Sequence, residues 1–207
     1  SGNANDETSN NNNGTVNGAS LTTDRFGEAN SAYQFDGVDD HISVPLSSSL
    51  QIREDITINV WVNKEASDYW TDFIVRAPGE YYEMRIDQRD NNTAFEAYGR
   101  GAGSWDHVGS GNHIDNGEWV MLSFTSTSSK DENGDYTKSK NFKFYVNGEL
   151  RNDYSRTGNR YELNTNENLM IGSSQNGDNN NFKGKMDELR IYNKALTDQE
   201  INTLYSN

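Results

Sequence analysis

An all-β sandwich of two antiparallel sheets, of the jelly-roll kind and closed by one short C-terminal helix, is the fold this sequence predicts. Three observations carry it. About ten short segments alternate apolar and polar residues with the two-residue period of a strand. The spacers between them are rich in Asn, Asp and Gly, the residues of tight turns. Only the last dozen residues carry a helix-start signal.

In order, strands are expected at 32–37 ("AYQFDG"), 40–45 ("DHISVP"), 55–63 ("DITINVWVN"), 72–77 ("DFIVRA"), 81–87 ("YYEMRID") and 94–100 ("AFEAYGR"). They continue at 118–127 ("EWVMLSFTST"), 141–148 ("NFKFYVNG"), 167–174 ("ENLMIGSS") and 185–193 ("KMDELRIYN"). Asn147-Gly148 is the strongest local turn, since both residues tolerate positive φ. Trp61 and Trp119 alternate within apolar strands and read as core. In "LTDQEINTLYSN", Thr197 and Glu200 have capping-box spacing, with Leu196 and Ile201 as the staple around it. The helix is expected from about 198 to 204 or 205, with Ile201, Leu204 and Tyr205 facing the sandwich.

Composition bounds the function. The 207 residues have no internal repeat and no linker-like boundary, so residues 1–207 read as a single domain. Apolar content is 32%, but an aromatic share of 11% argues against disorder. A net charge of −14 argues against nucleic acid as a partner, which needs a basic patch. No apolar run approaches the roughly 20 residues that span a bilayer, so no membrane insertion is expected. The absence of cysteine excludes disulfides, thiol nucleophiles and thiolate metal sites.

The segments "SAYQFDGVDDHISVP", "DITINVWV", "EWVMLSFT", "FKFYVNGEL" and "GKMDELRIYNKALTDQEINTLY" together resemble the bacterial laminin-G-like, concanavalin A-like (lectin/glucanase) jelly-roll domains, over nearly the whole chain. "FDGVDD" and the final Asp-Glu-Leu-Arg-Ile-Tyr-Asn block are its most specific parts. The resemblance implies one concave and one convex sheet. It also implies an extracellular, secreted or cell-surface module, attached to a polysaccharide-degrading enzyme or an adhesin.

The opening "SGNANDETSNNNNGTVNG" reads either as a solvated linker or as a loop of oxygen ligands. Ca²⁺ takes six to eight oxygens from carboxylates and carbonyls, and such a loop lacks apolar groups to order it by burial. In domains of the kind resembled, the N-terminal strand runs near the C-terminal one, bringing this loop towards Asp187 and Glu188. Neighbouring strand residues point to opposite faces. A structural Ca²⁺ is therefore expected on Asn3, Asp6, Asn12 and Asp187. The acidic turn "DGVDD" is accounted for by turn chemistry. "KDENGD" lacks the spacing of an EF-hand, and "NGDNNN" reads as a polar loop.

No catalytic constellation stands out. Glycoside hydrolysis needs two suitably spaced carboxyls; Glu83 and Asp87, with Arg85 between them, lack the Glu-x-Asp-x-x-Glu pattern of the retaining hydrolases of this fold. His41, His107 and His113 are isolated. A sugar-binding surface fits better. Outward residues of two adjacent strands (Glu83, Arg85, Tyr98, Arg100), with Arg76, Tyr69, Trp70, Trp105 and His107, combine rings for sugar C–H faces with guanidinium forks for anionic groups. Packing of the two Trp at the sandwich rim and cross-strand ion pairing are the competing readings. The expectation is a non-catalytic carbohydrate-binding module holding a parent protein to a polysaccharide. The alternatives are an adhesin or spacer domain without a sugar site and, third, an atypical lyase or hydrolase.

Overall fold

The computed structural model describes residues 2–52, 55–66, 71–76, 82–87, 94–101, 104–109, 115–130, 132–133, 136–157, 167–174 and 180–207. Along the chain come β1 (Thr15–Asn17), β2 (Ser20–Thr22), β3 (Ala32–Asp36), β4 (His41–Val44), β5 (Ile56–Lys64), β6 (Thr71–Arg76) and β7 (Tyr82–Asp87). Then follow β8 (Ala94–Gly101), β9 (Ser104–Gly109), β10 (Trp119–Lys130), β11 (Tyr136–Val146), β12 (Glu149–Thr157), β13 (Leu169–Ile171) and β14 (Lys183–Tyr192). A 3₁₀ turn at Ser48–Leu50 and helix α1 (Asp198–Ser206) complete the set. The first sheet runs β1-β4-β13-β6-β7-β8-β9 and the second β12-β11-β10-β5-β14-β3-β2. Every pairing is antiparallel, as expected for the predicted sandwich.

Alternation decides which residues fill the space between the sheets. β7 sends Tyr82, Met84 and Ile86 inward, and β5 sends Ile56, Ile58, Val60 and Val62; all seven are buried in one cluster. Phe35, Phe124, Phe142, Phe144 and Phe182 join them, with Phe35 and Phe182 edge-on at 6.0 Å. Each such side chain contributes about 1.5–3 kcal/mol on leaving water.

β5 is buried on both faces, and Trp61 is core as expected, in a cluster of its own. That ring does not enter the space between the sheets. It forms a second cluster on the outside of the second sheet, with Met121, Tyr145, Leu196 and Ile201, against which Trp119, Tyr192 and Leu204 pack. Helix α1 covers this cluster. The predicted capping box is present: Glu200 N donates to Thr197 Oγ1 at 3.2 Å, and Thr197 N donates to Glu200 at 2.8 Å. Ile201 is fully buried, while Tyr205 is half out in solvent and stacks on Trp61 at 5.7 Å. The polar residues of the same face are satisfied by neighbours. Thr57 Oγ1 donates to Lys194 O at 2.8 Å and accepts from Leu196 N at 2.8 Å, and Asn63 Nδ2 donates to Gly117 O at 2.7 Å.

Four strands go beyond those expected: β1, β2, β9 and β12. The first two have three residues each, too few to show a period. β12 reads "ELRNDYSRT", almost wholly polar, and its residues 149–155 are exposed. β9 lies in a glycine-flanked segment for which no strand was expected; "SWDHVG" pairs with β8 over six residues. Asn147 and Gly148 form the expected turn between β11 and β12, with φ of 52° and 78°.

Candidate functional site

The outer face of the first sheet gathers most of the expected binding residues by register. Arg76 on β6 lies opposite Glu83 on β7, Glu83 opposite Tyr98 on β8, and Tyr98 opposite His107 on β9. One row therefore crosses four strands. Beside it, Arg85 lies opposite Glu96, and Arg100 opposite Trp105. Directly opposed residues of antiparallel strands share a face, so the row and its neighbours occupy the face turned away from Met84 and Tyr82. For Tyr98, Arg100, Trp105 and His107 the backbone is described and the side chains are not. Tyr69 and Trp70 lie outside the described residues.

Glu83 corrects its expected position. It is on the outer face, as alternation requires, but it is not exposed: its side chain is 1% accessible. β7 is an interior strand with β6 and β8 on either side, and the Arg85 guanidinium approaches the Glu83 carboxylate at 3.5 Å. Arg85 itself is 19% accessible. A carboxylate taken out of water needs a cationic partner, because desolvation costs several kcal/mol. Arg76 is tied to the next strand's loop, donating from Nη1 to Ser174 O at 2.7 Å. Glu83, Arg85 and Arg76 all have further interactions. The two arginines are thus held in place instead of waving in solvent, which lowers the entropic cost of gripping a planar anion or vicinal hydroxyls.

The four expected metal ligands fall into two separate networks. The N-terminal loop is ordered by its own hydrogen bonds. Asn3 Oδ1 accepts from Asn5 N at 2.8 Å, and Asp6 Oδ1 from Thr8 N at 2.9 Å. Asp6 Oδ2 accepts from Thr8 Oγ1 and from Asn12 N, both at 2.9 Å, while Asp6 N donates to Asn13 Oδ1 at 2.9 Å. Burial works to raise the Asp6 pKa, but the donors Asn12 and Thr8 outweigh it and hold it below the ordinary carboxylate value. Asn12 fastens the loop to the turn at Ser48–Leu50, its Oδ1 accepting from Ser47 Oγ at 2.6 Å and its Nδ2 donating to Ser49 Oγ at 3.0 Å. The stretch is therefore neither a free linker nor a bare set of oxygens.

Asp187 sits in the second sheet, opposite Trp61. Arg25 meets it at 3.4 Å and also meets Glu188 at 3.4 Å, with its guanidinium 4.5 Å from the Trp61 ring and 4.2 Å from that of Phe26. Burial, then the Glu188 charge, raises the Asp187 pKa, and Arg25 opposes this. Glu188 takes φ of 50° at the bulge following Asp187, which turns both carboxylates of this adjacent pair towards one guanidinium. Arg25 fills the cationic role expected of an ion, and the oxygens of Asp6, Asn12 and Asp187 already accept protein donors. Asn3, Asp6 and Asn12 thus belong to one hydrogen-bonded loop, and Asp187 to the Arg25 ion pair. Nothing in "TTDRFGEAN" signals the Arg25 contact, which closes over 162 residues of chain.

Residues 36–202 match the family described as the concanavalin A-like lectin/glucanases superfamily. Among solved structures, domain 4 of AbnA, an extracellular GH43 arabinanase from Geobacillus stearothermophilus, in complex with arabinotriose, is similar with a TM-score of 0.69. Identity is 22% over 98% of this chain and 93% of that one. The receptor-binding domain of botulinum neurotoxin mosaic serotype C/D has a TM-score of 0.69 at 16% identity, over 98% of this chain and 47% of that one. The binding domain of Paraclostridial Mosquitocidal Protein 1 has a TM-score of 0.67 at 18% identity, over 99% and 49%. This chain thus spans about half of each toxin domain, and the likeness to all three is one of fold. No curated protein sequence matches the chain. Among the described residues, no helix is long and apolar enough to cross a membrane.

Proposed function

The chain belongs to the concanavalin A-like lectin/glucanase superfamily, and on that premise we propose that it is a non-catalytic, extracellular carbohydrate-binding module. It holds a larger secreted or surface protein to a polysaccharide, an acidic one by preference, through the outer face of the first sheet. The observation that supports this most is the register row Arg76–Glu83–Tyr98–His107, flanked by Arg85 and by the Arg100–Trp105 pair. It concentrates guanidinium and ring-bearing residues on one face of a chain whose net charge is −14. Guanidinium forks match carboxylate or sulfate, and rings match the C–H faces of a sugar. The arabinotriose complex of the arabinanase domain shows that a protein of this fold takes an oligosaccharide.

Glu83 serves as the brace of this face, not as an acid or base. Its carboxylate is buried against Arg85, and glycoside cleavage needs a second carboxyl within roughly 5–9.5 Å that reaches substrate. Retention on polysaccharide affinity gels tests the reading. Arg85→Ala and Trp105→Ala are each expected to weaken retention at least tenfold while leaving the circular dichroism spectrum unchanged. No product absorbing at 235 nm is expected from uronate-containing polymers. Absence of retention on every glycan tried would favour a spacer domain, and release of unsaturated product an enzyme.

A further inference from the structure

The turn between β3 and β4 carries three carboxylates that the sugar-binding face does not use. Asp36, Asp39 and Asp40 each offer one oxygen within 4.8 Å of the others. Two ligands on opposite sides of one Ca²⁺ are about 4.6–5.2 Å apart, given metal–oxygen distances of about 2.3–2.6 Å, so these oxygens are spaced as co-ligands of one ion. Backbone donors orient them. Asp36 Oδ1 accepts from Val38 N at 2.7 Å, and Asp40 Oδ2 from Asp36 N at 2.8 Å. The other Asp40 oxygen lies so near Gly18, itself at φ +77°, that a Cβ there would be 2.0 Å away. Two basic side chains border the turn without pairing with its carboxylates: His41 Nδ1 contacts the Asp39 carbonyl at 2.9 Å, and Lys183, opposite Asp36, lays its stem against Gly37. Among the described residues, no ion pair neutralises Asp36, Asp39 or Asp40. Asp40 is 8% exposed; burial, then repulsion from Asp36 and Asp39, raises its pKa against a hydrogen bond from Asp36 N.

A second observation comes from another part of the chain. Asn181 is fully buried, and its Nδ2 donates to Val38 O, so the amide is inserted into this same turn. Its Oδ1 has no hydrogen-bond partner. An amide oxygen left without a donor in the interior costs about 1–3 kcal/mol, and such an oxygen is a preferred Ca²⁺ ligand. Nearby, Gly172 comes within reach of Asp40 O, and the adjoining Ser173 is likewise fully buried with an unpartnered hydroxyl. We propose that Asp36, Asp39 and Asp40, with Asn181 Oδ1, bind a calcium-class divalent cation that pins the β3–β4 turn to the segment leading into β14. The charge accounts for the choice: three carboxylates that no side chain engages in an ion pair call for a hard dication, and water completes the six to eight oxygens it takes. This inference does not rest on the sugar-binding reading.

Calorimetric titration of the full chain with CaCl₂, after treatment with EGTA, tests it. One ion per chain is expected. At a hundredfold excess over Kd, the unfolding temperature should rise by about 5 °C, and MgCl₂ at the same concentration should give a much smaller rise. Asp39→Asn changes an exposed side chain and should leave the fold intact while weakening Ca²⁺ at least tenfold. Asp6→Asn, in the N-terminal loop, should leave the affinity unchanged. The proposal is overturned if no calcium heat appears up to 10 mM. It is equally overturned if Asp39→Asn binds as the parent does, or if Asp6→Asn abolishes binding while Asp39→Asn retains it.

Discussion

The two sheets use the same alternation to opposite ends on their outer faces. On the second sheet, Trp61 and Met121 turn outward and are sealed by Leu196, just before the helix cap, and by Ile201 of α1. Arg25 and Tyr205 both pack against the Trp61 ring. On the first sheet the corresponding outward positions are Arg76, Glu83 and Arg85, and the buried group there is a carboxylate beside a guanidinium. One face is finished by hydrophobic burial and becomes structural. The other is finished by an ion pair and stays polar. A face held by apolar contacts offers nothing to a sugar hydroxyl.

Three perturbations probe that contrast. The largest effect is expected from Trp61→Ala, which removes a 93%-buried ring together with its stacking on Tyr205 and Arg25. Urea unfolding should register a loss of about 4 kcal/mol, as for other large core aromatics; a loss below about 1 kcal/mol would mean that the outer cluster is not a second core. Next comes Glu83→Ala. It leaves Arg85 without the carboxylate 3.5 Å away and should cost about 3 kcal/mol, the low end for breaking a buried pair, because Arg85 is partly solvated. If stability were unchanged, Glu83 would not be the brace described above.

The smallest effect is local and depends on pH. Glu200 is drawn down from its ordinary value of 4.5 to about 2, by Lys194 first and then by the Thr197 backbone N–H. A carboxyl lowered on folding stabilises fully above its unfolded pKa, and loses that contribution as pH falls through its folded one. Amide protection of α1 should therefore decline from about pH 4.5 down to pH 2, and in Glu200→Gln that decline should shrink to the part left by Asp198, whose carboxyl Lys143 and Tyr145 also hold low. A parent and variant with the same pH profile would remove the capping carboxylate from the account of how α1 is held.

Much of the architecture was legible in the chain itself. "DITINVWVN" and "YYEMRID" carry a period of two strong enough to name the inward residues, and "LTDQE" carries its own capping chemistry. These signals are local, so a few adjacent residues suffice to express them. β12 escaped because an edge strand with a polar composition has no apolar face to betray it, and β1 and β2 because three residues hold no period. For the binding face, alternation correctly put Glu83 and Arg85 together on the outer side. It was silent on whether that side met water, and Glu83 proved buried. Oxygen density and charge compensation do not run together at the other end. The N-terminal loop is richest in Asn and Asp, and Asp6 and Asn12 there accept hydrogen bonds from protein donors, while the sparser "DGVDD" turn keeps carboxylates outside any ion pair.

By itself the sequence determined the sandwich, the inward halves of its long strands and the capped helix, since propensity, alternation and capping act over a handful of neighbours. Tertiary structure alone decided that Asp187 faces Arg25, that Ile201 and Tyr205 of α1 cover Trp61, and that Asn181 reaches the acidic turn. Those pairings join residues more than a hundred positions apart. Their energies depend on which charges and amides are taken out of water together, and that is settled only when the sheets close.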